Sequence, residues 1–322
     1  METIVVLDPV APARLERMRP YLPTGFALAT TQSREPADQM DGVRRADYVI
    51  TGDVPVTAEM MTEGAAHRLK GVHKWGVGYD NIDLPSARTA GVRVMRTTGS
   101  NALAVAETAL SMMLALNRAL LPGHEGIARG EWLKGALGPS IFLLSGKTVG
   151  LIGLGFIGKA LARMLAGFGC RVLYTKPAAL PDHEAEPLGV THVDLPTLLA
   201  QSDVISLHCI LNEKTANLIG PAEFAAMKDG VLLINTARGG IVVEAALADA
   251  LDAGKVRGAA LDVFEVEPIV DDHPLKGRAN VILTPHIAAQ AADNFGKTVS
   301  RMFNNIKAVS EGRDPPTLDI LV

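Results

Sequence analysis

Two kinds of pattern alternate along this chain. Apolar runs of about four residues are followed by stretches in which apolar positions recur every three or four residues. The first kind predicts buried strands and the second amphipathic helices. In the first hundred residues, the runs at 4–7, 26–29, 48–51 and 69–75 read as strands. Helices are predicted between them at 13–18, at 37–45 and through Met60. Such alternation argues for a parallel sheet with helices packed on it. A second series has strands at 149–152, 171–175, 204–208, 231–235, 258–262 and 281–284, with helices at 195–201, 222–228 and 244–253. Six strands are the count of a complete doubly wound dinucleotide fold. A helix predicted at 101–120 joins the two series, and its apolar residues cover most of its circumference, so it should be buried on several sides. A last helix, 290–309, is predicted to return to the first domain, and no internal repeat is evident.

The second series opens on KTVGLIGLGFIGKA, residues 147–160. An apolar strand runs straight into Gly153, Gly155 and Gly158, and an amphipathic helix follows. Gly153 permits the tight turn, Gly155 lets backbone approach a pyrophosphate, and Gly158 lets the helix pack closely on its strand. The free N–H groups and positive end of that helix then face the phosphates. GxGxxG alone is weak evidence, because glycine turns need bind nothing; here both flanks are right. Asp8-Pro9 stands where the first series would need such a turn, so the first domain has a different job.

Composition narrows the class. The chain is 48% hydrophobic and 20% charged, as ordinary globular proteins are, and 322 residues suggest two domains. A net charge of −4 gives no electrostatic case for nucleic acid or anionic membrane. Cys170 and Cys209 lie in apolar surroundings without CxxC spacing and read as reduced core residues, with no metal site expected. Met1 leads directly into a strand-like segment with no signal-peptide pattern. The longest apolar run, 102–116, is broken by Glu107 and falls short of the ~20 residues of a membrane span. A cytoplasmic protein is the expectation.

Ligands of doubly wound folds bind beyond the carboxyl ends of the strands. Past 231–235 stand Thr236, Ala237 and Arg238; at and past the end of 258–262 stand Asp262, Glu265 and Glu267; past 281–284 stands His286. Each alone has a plain alternative as a surface ion pair, a solvated carboxylate or a bonded loop histidine. An arginine, a carboxylate and a histidine at ends of one sheet, beside a nucleotide turn, favour a shared crevice.

On these residues the chain resembles the D-isomer-specific 2-hydroxyacid dehydrogenase family, which includes phosphoglycerate, glycerate and D-lactate dehydrogenases. The matching stretches are GVGYDNID (76–83), NALAVAETAL (101–110), GKTVGLIGLGFIGKALA (146–162), NTARGGIVVEAAL (235–247), ALDVFEVEP (260–268) and TPHIA (284–288). The resemblance implies two Rossmann-like, doubly wound parallel-sheet α/β domains. The dinucleotide-binding one (101–289) would sit within a discontinuous, flavodoxin-like substrate domain (1–100 and 290–322). It implies catalytic roles for Arg238, Glu267 and His286. It also implies substrate binding at Val77 and Gly78, where small residues expose backbone N–H groups, with Lys74 either meeting a second anionic group or simply solvated. Cofactor contacts are implied for Gly153, Gly155, Phe156, Ile157, Gly158, Lys176, Cys209, Thr215, Thr236, Ala237 and Asp262, the last holding the nicotinamide amide.

The chemistry suits these residue types. Moving a hydride to or from a hydroxyl-bearing carbon requires a proton to move on or off the oxygen, and histidine titrates near neutral pH. A neighbouring glutamate orients the ring, and arginine can hold a carboxylate and polarise a carbonyl. Formate dehydrogenases of the same superfamily are expected to carry glutamine at the Glu267 position, so Glu267 argues against them. Two departures stand out. Lys176 occupies the place where NAD-specific relatives carry an acid for the ribose 2′-hydroxyl, which favours NADP over NAD; the plain alternative is an exposed strand-end lysine in a permissive NAD enzyme. Ile210 replaces a usual proline. The expectation is therefore an NAD(P)-dependent D-2-hydroxyacid dehydrogenase acting on a small 2-oxo or 2-hydroxy acid, and a homodimer. A corepressor-like NAD(P)-sensing protein, or a dehydrogenase of a non-carboxylate substrate such as phosphite, would keep the same residues, and turnover separates them.

Overall fold

Every strand pairs with its neighbours in parallel. The computed structural model describes residues 1–322, which form two units, Met1–Asn101 with Gln290–Val322 and Ala102–Ala289.

The first unit holds β1 (Glu2–Val6), β2 (Phe26–Thr30), β3 (Tyr48–Thr51), β4 (Gly71–Lys74) and β5 (Arg93–Met95), in the order β2-β1-β3-β4-β5. Alternate side chains enter two separate cores, as a sheet covered on both faces requires. Val5, Val49, Val72 and Val94 enter one; Ile4, Val6, Tyr48, Ile50 and Met95 enter the other. The second core is closed by Val299, Met302, Phe303 and Ile306 of the helix Phe295–Ser310. β5 was not expected: at three residues it is too short to show as an apolar run. Its outer edge is paired by the chain's last residues, with Leu321 N donating to Val94 O at 2.8 Å. At the switch point between β1 and β3, the Asp8 carboxylate accepts backbone N–H groups from Gly52, Asp53 and Val54. The chain thus supplies its own anion there.

The second unit has β6 (Thr148–Ile152), β7 (Arg171–Thr175), β8 (Val190–His192), β9 (Val204–Leu207), β10 (Val231–Asn235), β11 (Val256–Leu261) and β12 (Val281–Leu283). Their order is β12-β11-β10-β9-β6-β7-β8. That is seven strands where the pattern predicts six. The extra strand, β8, lies at the sheet edge with only Val190 buried, so it leaves no hydrophobic signature. The switch point falls between β6 and β9, where Gly153 leaves one strand and His208 the other. The helix predicted at 101–120 is broken: Ala102–Asn117 and Leu120–Ala128 meet at a 63° bend. Ala119 is left-handed (φ 50°) at the break. Pro122, which lacks an N–H for the carbonyl one turn before it, is incompatible with a continuous helix through this point. No single helix is long and apolar enough to cross a membrane.

Candidate active site

The glycine turn after β6 has the shape that a nucleotide phosphate needs. Gly153 is at φ +97°, and a Cβ there would lie 2.6 Å from the backbone of His208, so only glycine lets β6 and β9 exit side by side. A Cβ on Gly158 would meet Gly153 O at 2.6 Å, whereas one on Gly155 would meet nothing. The helix Phe156–Ala166 starts at Gly155 without a side-chain cap, so its first N–H groups are available to a ligand. Phe156 is exposed, and Ile157 is half-buried.

The other cofactor candidates lie along the same carboxyl edge. Lys176 follows β7 half-buried, and its carbonyl meets His192 Nε2 at 3.2 Å. Its charge helps lower the Glu184 carboxyl, though the pairing of Glu184 with Lys159 is the larger cause. Cys209 follows β9; burial pushes its thiol up to about 11, so it stays protonated. Thr215 Oγ1 donates to Ile210 O at 2.6 Å and accepts from Asn212 N at 2.8 Å, which ties down the loop that carries the Ile210 departure. The Asn235 side chain accepts from Ala237 N and donates to Arg238 O, and so shapes the exit from β10. Two buried polar atoms on this edge, Thr236 Oγ1 and His208 Nδ1, have no hydrogen-bond partner within the chain. A dinucleotide fits both this open glycine cradle and these unfilled polar positions.

The exits of β10, β11 and β12 bring together Arg238, Glu267 and His286. Glu267 Oε2 lies 2.8 Å from His286 Nδ1, and Glu267 Oε1 accepts Phe264 N at 3.0 Å. Burial alone would raise the Glu267 carboxyl, but these hydrogen bonds and the charges of His286 and Arg238 hold it below the usual carboxylate range. His286 and Glu267 are each about one-third exposed. The Arg238 and Glu267 loops touch backbone to backbone: a Cβ on Gly239 would fall 1.9 Å from Phe264 O.

Asp262 does work the sequence did not reveal. Its Oδ1 accepts the Thr284 hydroxyl at 2.6 Å and Ile287 N at 2.9 Å, its Oδ2 accepts Ala288 N at 2.7 Å, and its carbonyl accepts His286 N at 2.9 Å. His286 itself is left-handed at φ 51°, a conformation that costs a non-glycine residue of order 1 kcal/mol or more. The carboxylate therefore clamps the strained residue from both sides. Glu244 and His273 were missed entirely. The Glu244 and His273 side chains pair at 2.7 Å, 8% and 7% exposed. No motif announces them, because their partners lie about 20 or more residues away in sequence.

The substrate-loop candidates belong to the first unit. Val77 and Gly78 are half-buried just past β4. Lys74 is not the solvated lysine of one reading. It is 7% exposed, and its ammonium donates to Gly52 O and to Asn81 Oδ1, the latter at 2.9 Å.

Known proteins resemble this arrangement. Residues 110–288 match the family model described as D-isomer specific 2-hydroxyacid dehydrogenase, NAD binding domain. A glyoxylate reductase from Thermococcus litoralis is 38% identical over 287 residues, covering 87% of this chain and 85% of that protein. A hydroxypyruvate reductase from Thermotoga maritima is 40% identical, covering 82% of this chain and 85% of that one. An NAD-dependent formate dehydrogenase from Staphylococcus aureus, solved in complex with NAD, superposes with a TM-score of 0.87 at 26% identity, covering 100% and 99% of the two chains.

Replacing Asp262 with alanine should free the loop 284–288. With three donors left unpaired, stability should fall by at least about 2 kcal/mol. Hydrogen exchange at Ile287 and Ala288 should accelerate, as peptide-level mass spectrometry would detect. Unchanged protection at both amides would show that the clamp does not hold the loop.

Proposed function

As this chain belongs to the D-isomer specific 2-hydroxyacid dehydrogenase family, we propose that it reduces a small 2-oxo acid at C2 to the D-2-hydroxy acid. The observation that carries the reading is the meeting of Arg238, Glu267 and His286 at the carboxyl edge of the sheet that also bears the glycine cradle. Bound nicotinamide supplies the hydride. Arg238 binds the substrate and polarises its carbonyl, drawing negative charge onto the oxygen as the carbon is reduced. His286 donates its proton to that oxygen from Nε2, because Nδ1 is engaged by Glu267. Glu267 orients the ring and favours the imidazolium. The relatives' names, glyoxylate reductase and hydroxypyruvate reductase, give the substrate class to try first.

The cofactor is NADH or NADPH. The matched family model is an NAD-binding domain. Lys176 is the single feature favouring NADPH. We also propose a homodimer formed through residues 120–143, which present Leu120, Ile127, Trp132 (80% exposed) and Leu143 to solvent on one chain. Apolar side chains concentrated in one such stretch mark an association surface.

The first test follows nicotinamide absorbance with purified protein, NADH and NADPH in parallel, against glyoxylate, hydroxypyruvate and 3-phosphohydroxypyruvate. Turnover is expected; Lys176→Ala should lower NADPH efficiency and leave NADH nearly unchanged. No turnover with any 2-oxo acid, despite cofactor binding, would sink the dehydrogenase reading and favour a sensor.

A pH series tests the proton step. Reduction needs the imidazolium, so activity is present below the His286 pKa and lost as pH rises through it. Glu267→Gln should move that loss to lower pH and reduce kcat about 10-fold or more. An unmoved basic limb would remove Glu267 from the role.

Light scattering should return twice the chain mass, and Trp132→Asp should shift it toward one chain. A monomeric native protein would refute the dimer.

A further inference from the structure

We propose that Glu244 and His273 are positioning residues for the Glu267–His286 pair. This inference rests on the function proposed above and adds two residues that do not touch the reacting atoms.

The argument starts from the β11 exit. Glu267 is anchored within its own loop by Phe264 N, so its place depends on where residues 264 and 265 are held. Gly239 fixes Phe264 by close backbone contact. Glu244 fixes Glu265 by a reciprocal pair: Glu244 N donates to Glu265 Oε1 at 3.0 Å, and Glu265 N donates to Glu244 Oε1 at 2.9 Å. The second carboxylate oxygen, Oε2, meets His273 Nε2 at 2.7 Å. His273 Nδ1 accepts Leu275 N at 3.3 Å, which assigns the ring proton to Nε2 and aims it at Glu244. Phe264 packs edge-on to the His273 ring with centroids 5.8 Å apart, so the imidazole touches both the carboxylate and the loop it holds.

A buried carboxylate is costly unless its oxygens are matched by donors. Here each oxygen has one. Removing the His273 donor leaves Glu244 to rotate toward solvent, which releases Glu265 and, through Phe264 N, Glu267. Glu267 then spends less time on His286 Nδ1. Glu267 is the carboxylate paired with the His286 ring, and the Arg238 charge bears on Glu267. Losing the first lowers the affinity of the ring for its proton.

Three variants test the brace. His273→Leu removes the donor; His273→Gln keeps an N–H at the reach of Nε2; Glu244→Gln sets a second donor against existing ones. For His273→Leu, cofactor Kd from protein fluorescence should stay within about twofold, while kcat falls about 10- to 100-fold through misplacement of the acid. The basic limb of the kcat–pH profile should move to lower pH. His273→Gln should restore both kcat and the limb, and Glu244→Gln should resemble His273→Leu. A fall in melting temperature with kcat and the limb unmoved would overturn the proposal, as would failure of His273→Gln to rescue. The His286 imidazole resonance, assigned by its loss in His286→Asn, gives a readout that needs no turnover. A lower His286 pKa in His273→Leu than in the native protein would support the brace even if no 2-oxo acid were reduced. An equal pKa would overturn it.

Discussion

The carboxylate of Asp262 is the fixed point of this site. Buried at the end of β11, it gathers the Thr284 hydroxyl and the amides of Ile287 and Ala288, while its own carbonyl takes the amide of His286. A histidine at φ 51° is held against its preference only if its neighbours are over-determined. Two bonds after it and one before it supply that constraint. The left-handed turn aims Nδ1 at Glu267. Remove the clamp and only the bond to Glu267 would be left to set the direction of the ring.

The same constraint explains why three separate loops agree on one geometry. Gly239 admits the Phe264 carbonyl at a distance that no side chain tolerates, so the Arg238 and Glu267 loops pack backbone to backbone. Parallel β10, β11 and β12 end in register beside one another, which brings their exits within reach. The two units treat equivalent places differently. In the first, Asp8 occupies the crevice at its switch point with three backbone bonds. In the second, Gly155 leaves the corresponding place open. One sheet closes its anion position, and the other offers it to a ligand.

Much of this was legible because its signals are local. The glycine turn after β6 sits inside fourteen residues, and the strands leading to Asp262 and His286 carry apolar runs at 258–261 and 281–283. β5 and β8 escaped because three-residue strands, one of them mostly exposed, carry no periodicity. The bend at Ala119 escaped because composition favours helix on both sides and only Pro122 objects. Arg238, Glu267 and His286 were nameable from strand ends and family resemblance. The clamp of Asp262 and the pair Glu244–His273 were not, because each depends on partners about twenty or more residues away that only tertiary structure brings close. Sequence pattern reads what an element buries; it does not read which loop a polar side chain reaches across to hold.

That distinction also sorts the acids around His286. Asp262 and Glu244 are almost wholly buried, with every oxygen taken by an N–H or O–H donor of the chain. A group so placed holds geometry, because each of its oxygens is already committed to a donor of the chain. Glu267 is one-third exposed and spends one oxygen on a backbone amide and the other on the imidazole. It alone combines contact with the ring and access to water. Charge that must respond to a proton moving on and off the ring belongs at such a position, and charge that must not respond belongs behind it. The burial gradient from Asp262 through Glu244 to Glu267 follows that order.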